Sequence, residues 1–282
     1  MTSPMHRLDR ATRTFWRLRG RPVDLVGAER WLDGPMHAGQ HVGDTWLHAE
    51  ATRVGGVVAD PTTEAGLLAS MELLDGPGFR AADLHPLVRD FYERTSTWRM
   101  EVWTQWNPVL QPGGELVTRL FGRRVQQLAL PTRPLDVAHG MDSRVVPILD
   151  ADGVQRAAGW LRTLRSTGEY VFSGCYSVRR LPTSDRPSVS VVFPLESGNV
   201  QVFLRPDVLP GGALGLTSTS GSFGQDGTYV VVDSRGTHAA RVPLHETFRV
   251  FVDDEGTLRT DHELRLRSAR VIRLHYKLTP GA

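Results

Sequence analysis

From residue 143 onward, apolar and polar positions alternate with the two-residue period that is typical of β-strands. Turn-forming pairs such as Gly211-Gly212 and Asp226-Gly227 separate the alternating stretches. The pattern predicts strands at 143–149, 154–165, 169–181, 188–196, 199–205, 213–220, 228–234, 239–253 and 257–278, the last one broken near Ser268. Short turns between successive strands indicate an antiparallel meander. So many strands usually curl into a barrel or a strongly bent sheet.

The hairpin at 244–266, with its turn at 254–256, has the most sharply defined register. A three-residue turn places Phe248 opposite His262, and a slip by one residue would break both the apolar pattern and the charge pairs on the other face. In this register Glu246 and His262 are diagonal neighbours on an otherwise apolar face.

A second hairpin turns at 166–168. The predicted register pairs Ala158 with Tyr176, Trp160 with Gly174, Arg162 with Phe172, and Leu164 with Tyr170. Because glycine has no side chain, we expect Gly174 to leave room for the Trp160 ring.

The first 142 residues follow the helical period instead. Apolar spacing and capping residues predict helices at 5–20, 60–76, 83–106 and 114–128. We therefore predict an α+β protein in which a helical region, 1–142, covers a curved antiparallel sheet or barrel, 143–282. The two regions could also form one integrated domain. The first helix has a basic face, which could meet a membrane surface or a partner, although docking of the helix on its own domain is favoured.

Composition narrows the function classes. The 33 cationic and 31 anionic side chains give a net charge of +2, so no strong field for nucleic acid is expected, and we predict no nucleic-acid partner. No apolar run reaches the roughly 18–20 residues that a membrane helix needs, so we predict no membrane span. A single cysteine, Cys175, excludes an internal disulfide. The single cysteine and the absence of a signal-peptide pattern together favour a cytoplasmic location.

Several short stretches of the sequence resemble a known protein family. HPLVRDFYERT at His85–Thr95, LFGRRVQQL at Leu120–Leu128 and TDHELRL at Thr260–Leu266 resemble an actinobacterial protein family to which no activity is assigned. The resemblance extends over roughly residues 70–280. It implies an actinobacterial source, as does the use of arginine for every cation except Lys277. At the level of architecture alone, a large curved meander is similar to lipocalin-like and START-like proteins, which does not indicate a function.

The first candidate for chemistry is the pair Glu246 and His262. A carboxylate next to an imidazole on an apolar surface can act as a general acid–base pair near neutral pH. The alternative is a structural hydrogen bond between strands.

The second candidate is a set of ligand-binding side chains. Arg162 has no evident acidic partner and could bind a carboxylate or a phosphate in a cavity. We predict that aromatic side chains form the walls of this cavity, namely Trp160, Tyr170, Phe172, Tyr176 and Phe248. The alternative is that these side chains form an ordinary core under the helices.

His37 and His41, with Asp44, His48 and Glu50 nearby, are better explained as a polar loop than as a metal site, because glycines interrupt the segment. No cofactor motif is present, so we predict neither a metal nor a cofactor. The predicted function is binding of a hydrophobic small molecule inside the sheet, with cofactor-free chemistry of the isomerase or cyclase type. The alternative is a non-catalytic interaction protein that uses the basic N-terminal helix.

Overall fold

The computed structural model describes residues 7–36, 43–60, 63–107, 140–218, 220–233 and 235–281. Over these ranges the chain is mostly antiparallel β-sheet. The α-helices are α1 Arg7–Arg19, α2 Trp46–Arg53 and α3 Pro86–Glu93. The strands are β1 Arg21–Pro22, β2 Val57–Val58, β3 Trp98–Trp106, β4 Met141–Leu149, β5 Gln155–Leu164, β6 Tyr170–Arg180, β7 Pro187–Leu195, β8 Gly198–Leu209, β9 Ala213–Thr217, β10 Gly227–Asp233, β11 Thr237–Val242, β12 Leu244–Val252, β13 Leu258–Leu266 and β14 Ala269–Pro280. No helix in the described ranges is both long and apolar enough to span a bilayer.

All fourteen strands belong to one sheet, whose main order is β2-β4-β5-β6-β7-β8-β9-β12-β13-β14-β3. The sheet forks at β8. The first part of β8 lies between β7 and β10, and its last five residues pair with β9 instead. One branch continues through β10 and β11 to β1, and the other continues through β12 to β3. The predicted closure into a barrel is wrong, because β2 and β3 end the sheet and do not pair with each other.

The predicted strands after residue 143 correspond closely to β4–β14. The break expected near Ser268 is the turn between β13 and β14. The predicted register of the hairpin at 244–266 is confirmed at every pair, including Phe248 with His262 and Arg249 with Asp261. Gly256 has a φ of 76°, so the turn uses glycine where other residues would be strained.

The expected helical layer is not confirmed. α1 corresponds to the predicted helix at 5–20, and α3 to the start of the helix predicted at 83–106. The rest of that prediction is wrong, because 98–106 forms β3 and pairs with β14. The helix predicted at 60–76 is also wrong over its described residues, which contain only the short 3-10 turn Met71–Leu74. The helix predicted at 114–128 lies outside the described residues.

Strong curvature brings distant strands together. Six strands lie between β5 and β14 in the sheet order, yet the Arg162 guanidinium of β5 lies 6.0 Å from the ring centroid of Tyr276 in β14. Trp160, Val250 and Leu258 belong to one hydrophobic core. We call the side of the sheet that contributes to this core the inner face.

The outer face is covered by separate groups of side chains. α2 packs there through Trp46 and Leu47, which contact residues of β4–β7. The indole of Trp46 donates a hydrogen bond to the Ser173 hydroxyl over 2.9 Å, which orients the ring. A third cluster surrounds Trp31 at the β8–β10–β11 branch. Both faces of the central strands are therefore buried, which explains their nearly continuous apolar sequence.

Candidate functional site

The inner face carries a group of ionisable side chains that we call the inner polar cluster: Arg162, Tyr176, Glu246, His262 and Tyr276. They come from β5, β6, β12, β13 and β14, so the curvature of the sheet brings them together. Electrostatic interactions connect Tyr176 to Arg162, Glu246 and Tyr276. The cluster includes both predicted catalytic residues and the predicted anion-binding arginine.

Glu246 and His262 are in direct contact. His262 Nε2 lies 3.0 Å from Glu246 Oε2, and the two side chains are 14% and 15% exposed. The imidazole stacks on the Phe248 ring, with 3.8 Å between centroids and 15° between planes. The backbone N–H of Glu246 donates to the hydroxyl of Ser218, which lies just beyond β9. His262 therefore holds the carboxylate and Ser218 fixes the backbone of Glu246, as a positioned acid–base group requires.

The burial of His262 indicates which of its nitrogens carries the proton. Nδ1 is shielded from solvent and has no hydrogen-bond partner among the described residues. The tautomer with its proton on Nε2 donates to Glu246 Oε2 and leaves no N–H buried at Nδ1 without an acceptor. Oε1 of Glu246 accepts no hydrogen bond from a described residue.

Arg162 is a buried cation at 8% exposure. Its guanidinium forms no ion pair with a described carboxylate. Its contacts are the Met141 sulfur at 3.6 Å and the rings of Trp160 and Tyr276, whose centroids lie 5.5 and 6.0 Å away. These contacts are weaker than a paired carboxylate, so the charge is incompletely compensated.

Two phenols lie beside this cation. Burial raises the pKa of Tyr276 above its ordinary value, and Arg162 opposes the shift. Burial likewise raises the pKa of Tyr176 well above its ordinary value. Both phenols therefore keep their protons at neutral pH and remain hydrogen-bond donors next to Arg162.

Aromatic side chains line the inner face near the cluster. Trp160 meets Phe172 and Tyr176 at centroid distances of 5.4 and 5.6 Å, and Phe172 meets Phe193 at 5.5 Å. Phe172, Tyr176, Phe248 and Tyr276 remain partly exposed although they pack against the core. These four side chains are therefore accessible to solvent, unlike the residues of the core proper.

The predicted placement of Tyr170 is wrong. The register pairs Tyr170 with Thr163 and not with Leu164, because the ladder is irregular after Arg162. Tyr170 consequently packs against the outer-face cluster around Trp46. The pairs of Ala158, Trp160 and Arg162 are as predicted. The atoms nearest to a Cβ placed at Gly174 belong to the rings of Phe172 and Phe193.

One part of the interior is filled by the segment 88–98. Phe91 and Trp98 are buried, and the Phe91 ring lies 6.2 Å from Trp98 and 6.4 Å from Trp160. The Trp98 indole donates to Asp90 over 2.9 Å, which fixes its orientation. Packing there resembles an ordinary core, as the alternative interpretation of the aromatics expected.

Tyr276 is the member of the cluster that sequence reasoning missed. It lies opposite Thr260, on the same face as His262. The alternation Ile272, Leu274, Tyr276, Leu278 places it there, but the pairing shifts between Leu264 and Arg265. That shift hides the register of β14 from a simple hairpin count.

Other polar groups have internal partners. The buried guanidinium of Arg186 pairs with Asp207 of β8 over 2.7 Å and donates to the Pro77 carbonyl. Glu50 pairs with Arg53, and Asp44 with Arg144.

No group of three or more metal-ligating side chains occurs in the described part of the chain, and His37 and His41 lie outside it. Burial raises the pKa of the Cys175 thiol well above its ordinary value, which disfavours a reactive thiolate.

No family model matches this chain, and neither a curated protein nor a solved structure matches it.

Proposed function

We propose that the protein binds a hydrophobic small molecule against the inner face of its curved sheet and moves a proton on it without a cofactor. The observation that carries the proposal is the contact of Glu246 with His262 on an apolar, partly open face. A carboxylate that is held by one hydrogen bond and leaves its second oxygen free has the arrangement of a general base.

The chemistry follows from these positions. Glu246 Oε1 takes a proton from a carbon beside a carbonyl group, while the Nε2–H of His262 holds Oε2 and positions the carboxylate. The carbonyl oxygen gains negative charge, which hydrogen-bond donors of the inner polar cluster stabilise. Return of the proton to a different carbon completes an isomerisation, with no net change in protons or electrons. The apolar surroundings make both electrostatic effects stronger than they are in water.

A second candidate is a non-catalytic interaction protein. Its support is α1, where Phe15 is 48% and Leu18 77% exposed. The opposite side of α1 docks on the sheet, since Arg13 pairs with Glu196 of the β7–β8 turn. Exposed apolar side chains on a docked helix are a feature of partner-binding surfaces.

Native mass spectrometry of the purified protein separates the two candidates. We expect a small molecule to co-purify with the protein or a hydrophobic probe to bind to it. Glu246→Gln and His262→Ala should each raise the dissociation constant of this complex at least tenfold. Glu263→Gln is the matched control, because Glu263 lies on the same hairpin but pairs with Arg265. A retained ligand, incubated with the protein in D2O, should gain deuterium with the wild type and not with Glu246→Gln.

The binding proposal fails if nothing binds and both variants lose thermal stability. That result would make the pair structural and would leave α1 as the functional surface. Retained binding with no deuterium uptake would reject the chemical step alone.

A further inference from the structure

The buried charge of Arg162 points to the chemical class of the ligand. An arginine at 8% exposure is costly to bury, and such groups are normally paired with a carboxylate. Arg186, at 3% exposure, follows the rule and pairs with Asp207, and the less buried Arg53 pairs with Glu50 and Asp33. Arg162 pairs with no described carboxylate. Arg179 forms no such ion pair either, but its guanidinium donates to the Asp33 carbonyl.

The neighbours of Arg162 are all neutral or apolar. They are the rings of Trp160 and Tyr276 and the thioether of Met141. Glu246, the nearby carboxylate of the cluster, is engaged by His262 and forms no ion pair with Arg162. The acceptors of the guanidinium are the thioether of Met141 and the hydroxyl of Tyr276, which are both neutral, so its charge has no anionic partner among the described residues.

We infer that Arg162 and Tyr276 bind the carboxylate of an apolar carboxylic acid whose hydrocarbon part lies against the aromatic inner face. This deepens the proposed function and depends on it. A monoanion matches the single uncompensated guanidinium, whereas a phosphate dianion would leave excess negative charge beside Glu246. A planar carboxylate also accepts two parallel hydrogen bonds from a guanidinium. The rings of Phe172, Phe193 and Phe248 favour a flat or aromatic hydrocarbon part.

The test compares acids with matched amides, which have nearly the same shape but no charge. The probes are naphthylacetate with naphthylacetamide and dodecanoate with dodecanamide, measured by calorimetric titration at pH 7. We expect each acid to bind the wild type at least tenfold more tightly than its amide, and the preference to disappear in Arg162→Met. Tyr276→Phe should reduce the preference several-fold. Methionine keeps the apolar length of arginine, and circular dichroism verifies that each variant is folded.

Arg165→Met is the control for a change in net charge. Arg165 lies at the end of the same hairpin but is exposed and pairs with Asp142. It should keep the full preference for acids. Equal binding of acid and amide, or an acid preference that survives Arg162→Met, would overturn the inference and leave the proposed binding function standing. Failure of every probe to bind would overturn both.

Discussion

Two arginines of this protein show how a buried charge is handled in opposite ways. Arg53 contacts both oxygens of Glu50 over 2.6 Å and reaches Asp33 over 2.6 Å, and these carboxylates raise its pKa. Arg162 is more deeply buried and lacks such partners. Each charge of a buried ion pair compensates the other, so removal of one partner leaves an uncompensated charge and strongly lowers the stability of the folded state. Arg53 should therefore matter for folding, and Arg162 for binding.

The Arg53→Met variant tests this contrast. It leaves Glu50, which is 1% exposed, as a buried carboxylate without its ion-pair partner. We expect the free energy of unfolding to fall by about 3 kcal/mol, measured by urea denaturation. The double variant Arg53→Met with Glu50→Gln should recover most of the loss. Arg162→Met, measured in the same way without ligand, should not be destabilised. A larger loss for Arg162→Met than for Arg53→Met would contradict the division of roles.

Single residues were predictable where two independent patterns agreed. The contact between Glu246 and His262 followed from a register that both apolar alternation and cross-strand charges specify. Tyr170 was misplaced because one irregular pair shifts every later side chain to the other face, and no local sequence signal marks that irregularity. The burial of Arg162 without a carboxylate is a tertiary property, since it depends on strands that are distant in sequence.

At the scale of elements, the turn between β12 and β13 is organised by one carboxylate. Asp253 Oδ1 accepts from the backbone N–H groups of Glu255 and Thr257, and Oδ2 accepts from Arg259 over 2.5 Å. Arg259 and these amides lower the pKa of Asp253. The hairpin carries Glu246 and His262, so this turn fixes the register of the candidate site.

A lowered pKa in the folded state has a defined effect on stability. The contribution of Asp253 is fully present above the ordinary aspartate pKa of about 3.9, and it is lost as pH falls through the lower, folded-state pKa. Asp253→Asn should therefore lower the midpoint temperature at pH 7 and reduce the further drop between pH 5 and pH 2. Differential scanning calorimetry across that range measures both. Asp254→Asn, at the exposed next position, should behave like the wild type. If the midpoint temperature of Asp253→Asn falls with acid as much as that of the wild type, the Asp253 carboxylate does not contribute to stability.

The mistaken helices have a physical explanation. Trp98, Val102 and Trp106 recur every four residues, a spacing that fits one helix face and also one strand face. Pairing of β3 with β14 decides in favour of the strand. In the segment before α3, the N–H groups of Leu68 and Met71 bond to Tyr92 and Glu93, so they are not available for a helix. Propensity is overridden by tertiary partners in both places.

At the scale of the molecule, the fork at β8 raises the question of whether β4–β8 and the branch from β9 to β3 are independent. The main core argues against independence, because it contains Val145 and Val202 from β4–β8 and Val250 and Leu278 from that branch. α3 and Trp98 fill the space between these walls. The strands after residue 143 were predictable from local alternation, but this shared core was not, since curvature is set by contacts between distant strands.

Phe91→Ala tests that shared core. Phe91 contacts Trp98 near the β3 edge and Trp160 in β5, so its loss opens a cavity between both walls. We expect a loss of about 3–4 kcal/mol in the free energy of unfolding. Tryptophan fluorescence and far-ultraviolet circular dichroism should follow the same shifted transition, because one core unfolds as one unit. Leu73→Ala, at a half-exposed site outside this core, should cost far less. Two separate transitions, with only one shifted by Phe91→Ala, would instead mean that β4–β8 and the branch from β9 to β3 fold independently. The inner polar cluster contains residues of both parts, so it would then form only when both parts are folded.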